Sequence, residues 1–241
     1  QQLSRDYTVK AVDLKDGQVP SDVDVMVVVA PQNLDDKQRF ALDQFLMRGG
    51  SLVVAAGNYI ISPDPYAGSL GIAPISGGLQ EMLQSYGITV TQALVMDSQN
   101  EPFPVAVNRD VGGAQVREIQ AINYPFFVDV RTNGMDKNSP MVANLPAVTL
   151  HWASPLLVDQ AKNSGRTVTP LLMSSADSWL RTSTDIQPNL QLYPQLGFPV
   201  EGERAAHTLA VSVQGSFESF FKGKPSPLTA AAAWLLPIRT P

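Results

Sequence analysis

The sequence predicts an α/β fold with a mostly parallel sheet and a strand-rich carboxy-terminal half. Three observations support this prediction. Residues 23–30 form a valine-rich run broken only by Asp24, which is typical of a parallel strand buried on both faces. An amphipathic helical pattern and a second valine-rich run follow it. After Asp97, helical patterns become few and short strand-like runs alternate with turn-rich stretches.

Residues 23–56 predict a strand, a helix and a second strand. Pro31 ends the first strand, and Asn33 is a suitable N-cap for the helix. The apolar residues of the helix recur on one face: Leu34, Ala41, Leu42, Phe45 and Leu46. Gly49 is the expected left-handed residue at the helix end, and residues 51–56 form the next buried strand. We therefore expect a right-handed β–α–β unit.

The remaining elements are shorter. Residues 62–78 contain three prolines and four glycines and predict a long irregular loop. A short helix over 79–86 and a third strand over 88–96 follow. Further strand-like runs cover 103–107, 121–131, 148–158, 167–174 and 208–214. We predict one α/β domain over 1–241, with a doubly wound core in 1–97 and a strand- and loop-rich continuation in 98–241.

Composition excludes several classes of function. The net charge is −5 and no basic cluster is visible, which argues against nucleic acid as a partner. The absence of cysteine removes disulfides, thiolate metal sites and cysteine nucleophiles. The longest apolar runs, Val25 to Ala30 and Ala230 to Leu236, are far shorter than the ~20 residues of a membrane helix. Because the chain begins with Gln1, we interpret it as a soluble fragment of a larger membrane protein.

No metal or cofactor is predicted. The two histidines, His151 and His207, have no neighbour at a spacing typical of metal ligands. The glycine patterns that bind dinucleotides or nucleotide phosphates are absent.

A serine-dependent hydrolase is the enzymatic alternative. Ser174 or Ser175 would be its nucleophile, with Asp177 and His207 as partners brought together by the fold. The nucleophile pattern GxSxG is absent, and serines after a strand more often cap the next turn. We therefore predict no catalytic residue.

One ligand site is predicted from topology. In open α/β sheets, ligands bind beyond the carboxyl ends of the strands. Gln32 and Asn33 follow one predicted strand, and Asn58 and Tyr59 follow the next. Their amide and aromatic side chains suit hydrogen bonding and stacking on a polar ligand. The alternative is an ordinary loop rim, because position in a fold does not by itself make a site.

Several stretches carry a family resemblance: VPSDVDVMVVVAPQN, ALDQFLMRGG, MLQSYGITV, NYPFFVDV, LLMSSADSW and LAVSVQGSFESFF. Together they resemble the auxiliary, gliding-motility-type component of bacterial ABC transport systems. The resemblance runs from about Tyr7 to Phe221, and DQFLMRGG is its most specific part. A related domain occurs in a subunit of eukaryotic intraflagellar transport, and both resemble the class I glutamine-amidotransferase fold.

The resemblance implies a flavodoxin-like or class I glutamine-amidotransferase-like sheet without the catalytic cysteine of those enzymes. It also implies a non-enzymatic domain on the periplasmic, extracytoplasmic face of the bacterial inner membrane, tethered by segments outside this chain. The expected partners are the permease and ATPase subunits of an ABC transporter, and a homo-oligomer is also allowed. The alternatives are the serine-dependent hydrolase and a module that binds carbohydrate or peptide.

Overall fold

The computed structural model describes residues 3–63 and 70–228. These residues form two compact units. The first contains 3–56, 76–86 and 216–228, and the second contains 57–63, 70–75 and 87–215. The single domain expected from the sequence stays a prediction, because the compactness of each unit does not measure whether the two fold together.

The first unit is built on a strand, a helix and a strand: β1 (Val25–Val29), α1 (Asp36–Met47) and β2 (Ser51–Ala55). β1 and β2 are parallel, with Val25 opposite Ser51 and Val29 opposite Ala55. The predicted β–α–β unit is confirmed. A parallel pair requires a long crossover connection, and the 12 residues of α1 supply most of it.

The amino end of α1 is fixed by a capping box. Asp35 Oδ1 accepts a hydrogen bond from Gln38 N at 2.9 Å, and Gln38 Oε1 accepts one from Asp35 N at 3.0 Å. The prediction of Asn33 as the cap is wrong, because Gln38 lies at the required spacing from Asp35. Asn33 instead has a left-handed backbone with a φ of 52°. At the other end of the helix, Gly49 has a φ of 90°, as predicted.

The two faces of the parallel pair differ in exposure. α1 packs against β2, and Met26 of β1 is buried. On the opposite face four valines are about half exposed or more: Val25 (52%), Val27 (54%), Val29 (69%) and Val53 (53%). The prediction that both faces are buried is therefore wrong, because within the described residues α1 covers only one of them.

Two further segments complete the first unit: α2 (Gln80–Ser85) and the segment 216–228. The carboxylate of Asp43 in α1 joins both to the helix. Its Oδ1 accepts hydrogen bonds from Tyr86 Oη at 2.6 Å and Phe220 N at 2.7 Å, and its Oδ2 accepts one from Ser219 Oγ at 2.6 Å. Among the described residues, neither helix is long and apolar enough to span a membrane.

The second unit contains the remaining strands in antiparallel pairs. They are β3 (Tyr59–Pro63) with β4 (Leu70–Pro74), β5 (Ile88–Val90) with β11 (Leu156–Val158), β6 (Leu94–Met96) with β13 (Trp179–Arg181), β7 (Phe103–Val111) with β8 (Ala114–Ile122), β9 (Phe127–Arg131) with β10 (Ala147–His151), and β12 (Thr167–Met173) with β14 (Thr208–Gln214).

This topology corrects the fold class. Among the described residues, six of the seven strand pairs are antiparallel, so the mostly parallel, flavodoxin-like or amidotransferase-like sheet is wrong. One physical reason for the antiparallel pairing is the shortness of the connections between strands. β7 and β8 are joined by Gly112 and Gly113, whose φ values of 64° and 87° make a tight hairpin turn. Strands joined by so short a turn must run antiparallel, whereas parallel strands require long crossovers such as α1.

Two local predictions also change. The predicted irregular loop over 62–78 contains β4 and the end of β3, while residues 64–69 of that loop lie outside the described part of the chain. The predicted strand over 88–96 is divided into β5 and β6, with residues 91–93 between them. The backbone nitrogens of Thr91 and Val95 donate to the carbonyls of Pro155 and Ala153, so this irregular stretch still pairs with a distant segment.

β6 separates two buried clusters in the second unit. An aromatic cluster lies on one side: Leu94, Met96, Tyr124, Phe126, Phe127, Trp179, Ile186 and Phe198. An aliphatic cluster lies on the other: Val95, Val128, Val130, Met135, Val142, Leu172 and Leu209. Successive side chains of a strand point to opposite faces. Leu94 and Met96 therefore pack in the aromatic cluster, and Val95 between them packs in the aliphatic cluster. The Tyr124 hydroxyl donates to the Ile186 carbonyl at 2.8 Å, and burial raises the pKa of Tyr124 to about 12.

Candidate functional site

The four predicted ligand-binding residues divide between the two units. Gln32 and Asn33 belong to the first unit, where both side chains are exposed. The backbone nitrogen of Asn33 donates to the carbonyl of Ser76 at 2.9 Å, which holds the turn after β1. Both side chains are therefore accessible to solvent.

Asn58 and Tyr59 belong to the second unit and contribute to its packing. Asn58 is 5% exposed, and its amide nitrogen donates to the carbonyls of Val90 and Thr91, each at 2.9 Å. The ring of Tyr59 is partly buried against the aromatic cluster. These contacts account for both residues structurally, and ligand binding by the four predicted residues stays a prediction.

The serines named by the sequence analysis lie in a polar network around Asp97. Asp97 follows β6 and has no exposed surface. Its carboxylate accepts hydrogen bonds from Ser175 Oγ at 2.6 Å, Ser175 N at 2.7 Å and Gln99 N at 2.9 Å. Because a buried carboxylate is costly unless it is hydrogen-bonded, these bonds fix the turn after β12 to the end of β6.

Ser174 and Ser178 form the second half of this network. Their hydroxyl oxygens lie 2.6 Å apart, and the Ser178 hydroxyl donates to the Ala205 carbonyl at 2.5 Å. Ser174 Oγ accepts a hydrogen bond from His207 N at 2.8 Å. Asp177, the predicted acid of a triad, is exposed and pairs with Arg204 at 3.2 Å. The hydroxyls therefore bind the backbone and one another.

The imidazole of His207 lies beside this network without joining it. Among the described residues, neither ring nitrogen accepts a hydrogen bond from a serine, and Nε2 is buried without a partner. Burial lowers the pKa of His207 below its ordinary value of 6.5, and the nearby charge of Asp97 opposes that shift. The Ser–His–Asp177 arrangement that the sequence allows is not assembled in this structure.

A surface cavity of about 350 Å³ lies next to His207 in the second unit. It is lined by Thr91, Gln92, Ala93, Pro155, Leu156, Leu157, Leu180, Ala206, His207 and Thr208. None of these residues is Asp, Glu, Lys or Arg. Leu157 is 60% exposed and Leu180 is 37% exposed. The cavity is within the size range of natural ligand pockets, and its lining suits an apolar group.

Sequence reasoning found part of this region and missed the rest. It named Ser174, Ser175 and His207 as candidates, but not Asp97 or the cavity. The lining comes from four segments far apart in sequence, so no local pattern could predict it. Asp97 did have a local signal, because it directly follows three fully apolar residues at a strand end.

Comparison with known proteins identifies the family. An uncharacterized protein of Borreliella burgdorferi is 24% identical over 221 residues, which cover 89% of this chain and 40% of that protein. The chain therefore spans less than half the length of this curated relative. No solved structure matches the chain. The model of the family described as "ABC-type uncharacterized transport system" matches residues 1–234. On that match, which covers nearly its whole length, the chain belongs to this family of ABC-type transport systems.

Proposed function

We propose that this chain is a non-enzymatic auxiliary domain that binds an apolar segment of an ABC transporter subunit in the cavity beside His207. The observation that carries the proposal is the uncharged cavity, together with the two leucines that remain exposed at it. Membership of an ABC-type transport family supports a transporter subunit as the partner.

The chemistry of the cavity favours an apolar side chain over a charged or sugar ligand. Burying an exposed leucine contributes roughly 1.5–3 kcal/mol, and anchors of this kind dominate protein interfaces when they fill a pocket. A sugar or a charged peptide would require several polar partners at the wall. The wall offers only the side chains of Thr91, Gln92, His207 and Thr208 for that purpose.

The hydrogen bonds of the serine network support a non-enzymatic role. Ser175 donates its hydroxyl proton to Asp97, and Ser178 donates its own to a backbone carbonyl. A nucleophilic serine requires a base within hydrogen-bond reach, and His207 makes no such bond here. A fluorophosphonate probe should therefore leave the protein unlabelled. Labelling that is lost in the Ser174→Ala or Ser175→Ala variant would contradict this part of the proposal.

Placement outside the cytoplasm is also part of the proposal. It rests on the gliding-motility-type resemblance of stretches such as DQFLMRGG, and the full-length protein would carry the membrane tether. The net charge of −5 supports protein rather than nucleic acid as the partner. Protease added to intact spheroplasts should cleave this domain in the full-length protein. Protection of the domain until the inner membrane is permeabilised would contradict the placement.

The binding proposal is tested with charged substitutions at the exposed leucines. In the Leu157→Glu/Leu180→Glu variant, we expect at least tenfold weaker binding to the purified permease–ATPase complex of the same transport system. The matched control is Leu192→Glu, because Leu192 is 69% exposed in the same unit but does not line the cavity. Equal binding by the double variant, the control and the native chain would overturn the proposal.

A further inference from the structure

β7 and β8 form a hairpin that is anchored at its base in the core of the second unit. Ile122 is 5% exposed, and Phe103 opposite it packs against the aromatic cluster. Beyond this base, every side chain of β8 that the structure describes is exposed, and Ile119 is 74% exposed. In the described part of the chain, β7 and β8 pair with each other and with no further strand. Because a lone two-stranded sheet is marginally stable in water, the outer part of this hairpin would be stabilised by a further strand.

The two outer edges of the hairpin differ in their capacity to bind a strand. Gly112 and Gly113 form a two-residue turn, so the residues on either side of the turn are hydrogen-bonded to each other. Inward and outward backbone groups alternate from there, and the outward residues of β8 are 115, 117, 119 and 121. The outward residues of β7 include Pro104, which has no N–H to donate. β8 contains no proline, so its edge is the one that can pair fully with another strand.

The sequence of β8 is complementary to a second copy of itself in one antiparallel register. A two-fold axis at Ile119 sets this residue opposite its own copy and allows about six backbone hydrogen bonds. The same register sets Glu118 of each copy opposite Gln120 of the other copy, where the amide can donate to the carboxylate. Registers centred on Glu118 or Arg117 are unfavourable, because each sets two like charges directly opposite one another.

We propose that the chain forms a two-fold dimer through the edge of β8, in the antiparallel register centred on Ile119. The hairpins of the two copies would form one four-stranded sheet, which meets the requirement of three or more strands for a stable sheet. The main-chain groups of the edge would supply the affinity, as in other cases of strand addition. No residue of β8 lines the cavity beside His207, so the inference is independent of the proposed binding of a transporter subunit.

Opposite charges at position 119 test the register, because this side chain would face its own copy. Sedimentation of the concentrated native chain should show a dimer. Ile119→Glu and Ile119→Lys should each sediment as monomers, since each sets like charges opposite one another. An equal mixture of the two variants should recover the dimer, because a glutamate then lies opposite a lysine.

Leu192 provides the matched control, because it is 69% exposed in the same unit and lies outside β8. Leu192→Glu and Leu192→Lys should each dimerise as the native chain does. Recovery by the mixture also shows that both Ile119 variants are folded.

Disulfide trapping provides a second measurement, because the chain has no cysteine and every thiol would be an introduced one. Ile119→Cys should form an intermolecular disulfide at least tenfold faster than Leu192→Cys. The reason is that the Cα atoms of a hydrogen-bonded pair lie about 5.5 Å apart, within the range of a disulfide. Glu118→Cys and Gln120→Cys should be as slow as the control, because each residue would lie more than about 7 Å from its own copy.

Three outcomes would overturn the proposal. A native chain that stays monomeric at every concentration would show that the edge of β8 binds no second copy. A mixture of the two Ile119 variants that stays monomeric, or a disulfide that forms fastest at another position of β8, would show that the copies do not meet in this register. Dimers of equal strength in the native chain and in both Ile119 variants would place the dimer contact elsewhere on the molecule.

Discussion

Among the described residues, each unit contains one fully buried carboxylate that ties together segments distant in sequence. In the first unit Asp43 accepts hydrogen bonds from Tyr86 and from Ser219 and Phe220, which lie 176 and 177 residues away. In the second unit Asp97 accepts two hydrogen bonds from Ser175, which lies 78 residues away, and one from nearby Gln99. Both carboxylates are buried hydrogen-bond acceptors, but the donors of Asp43 lie up to 177 residues away and those of Asp97 at most 78.

The two carboxylates differ in the chain segments that they hold together. The donors of Asp43 come from the end of α2 and from the segment 216–228, so this side chain joins three parts of its unit. The phenylalanines of that segment add edge-to-face ring contacts, such as Phe221 on Phe40 at 5.2 Å. The donors of Asp97 come from one turn and from its own neighbour. Loss of Asp43 should therefore release a segment, whereas loss of Asp97 should loosen a turn.

The largest effect is expected for Asp43→Ala. It leaves one buried donor, Tyr86 Oη, and two partly buried donors, Ser219 Oγ and Phe220 N, without an acceptor. At about 1–3 kcal/mol for each unsatisfied group, we expect a loss of about 3–5 kcal/mol. Urea unfolding measures the free energy, and limited proteolysis should show new cleavage within 216–228. Asp43→Asn is the matched control, because it keeps an acceptor oxygen and should lose less. Unchanged proteolysis in Asp43→Ala would contradict this role of the carboxylate.

Asp97→Ala should also lower the free energy of unfolding, but by less than Asp43→Ala. It removes the acceptor for Ser175 N, Ser175 Oγ and Gln99 N, but the hydroxyl can rotate to a new partner. We expect a loss of about 2–3 kcal/mol in urea unfolding. Proteolysis within 216–228 should stay at the native rate. A loss as large as that of Asp43→Ala would show that Asp97 holds more than one turn.

A still smaller effect is expected at the start of α1. Asp35→Ala removes the side-chain acceptor of the capping box and should cost about 1 kcal/mol. Asn33→Gly is the matched control, because glycine adopts the left-handed backbone of Asn33 freely and should change stability by less than ~0.5 kcal/mol. Thermal unfolding of both variants checks the assignment, and the reverse order of effects would restore Asn33 as the cap.

The choice between Asn33 and Asp35 shows what local sequence could predict. β1, α1 and β2 were predicted because an apolar run, a helical stripe and Gly49 are local signals. The exact cap was missed because Asn33 and Asp35 are both good cap residues, and the decision depends on Gln38. The exposure of Val27 and Val53 was missed because valine runs do not reveal whether a second layer is present.

The second unit was harder to predict because its pairs join distant residues. β13 contains only three residues and is held by its pairing with β6, so the sequence around Trp179 gave no strand signal. The strand-end rule placed a ligand site at Asn58, but the amide of Asn58 is bound to Val90 and Thr91. The absence of serine catalysis was predicted on motif grounds and remains a prediction for the labelling experiment.

The smallest effect is expected from pH, and it should separate the two units. Both histidines lie in the second unit, and burial lowers the pKa of half-buried His207 below 6.5. Between that lowered pKa and 6.5, the unfolded chain binds a proton that the folded chain does not, so stability increases with pH in this window. The contribution is fully present above about pH 6.5 and is lost as the pH falls through the folded-state pKa.

In the first unit the shifted groups are Asp13 and Asp22, and hydrogen bonds from Lys15 and Lys10, respectively, lower the pKa of each below 3.8. The contributions of these two carboxylates are lost only at pH values below about 4, well under the window of His207. Urea midpoints between pH 7 and pH 5.5 should therefore fall for the native chain and stay flatter for His207→Gln. Fluorescence of Trp152 and Trp179 reports this change in a Trp234→Phe background, because both of these tryptophans lie in the second unit. An equal pH slope in the His207→Gln variant would assign the effect to other groups and remove this distinction between the units.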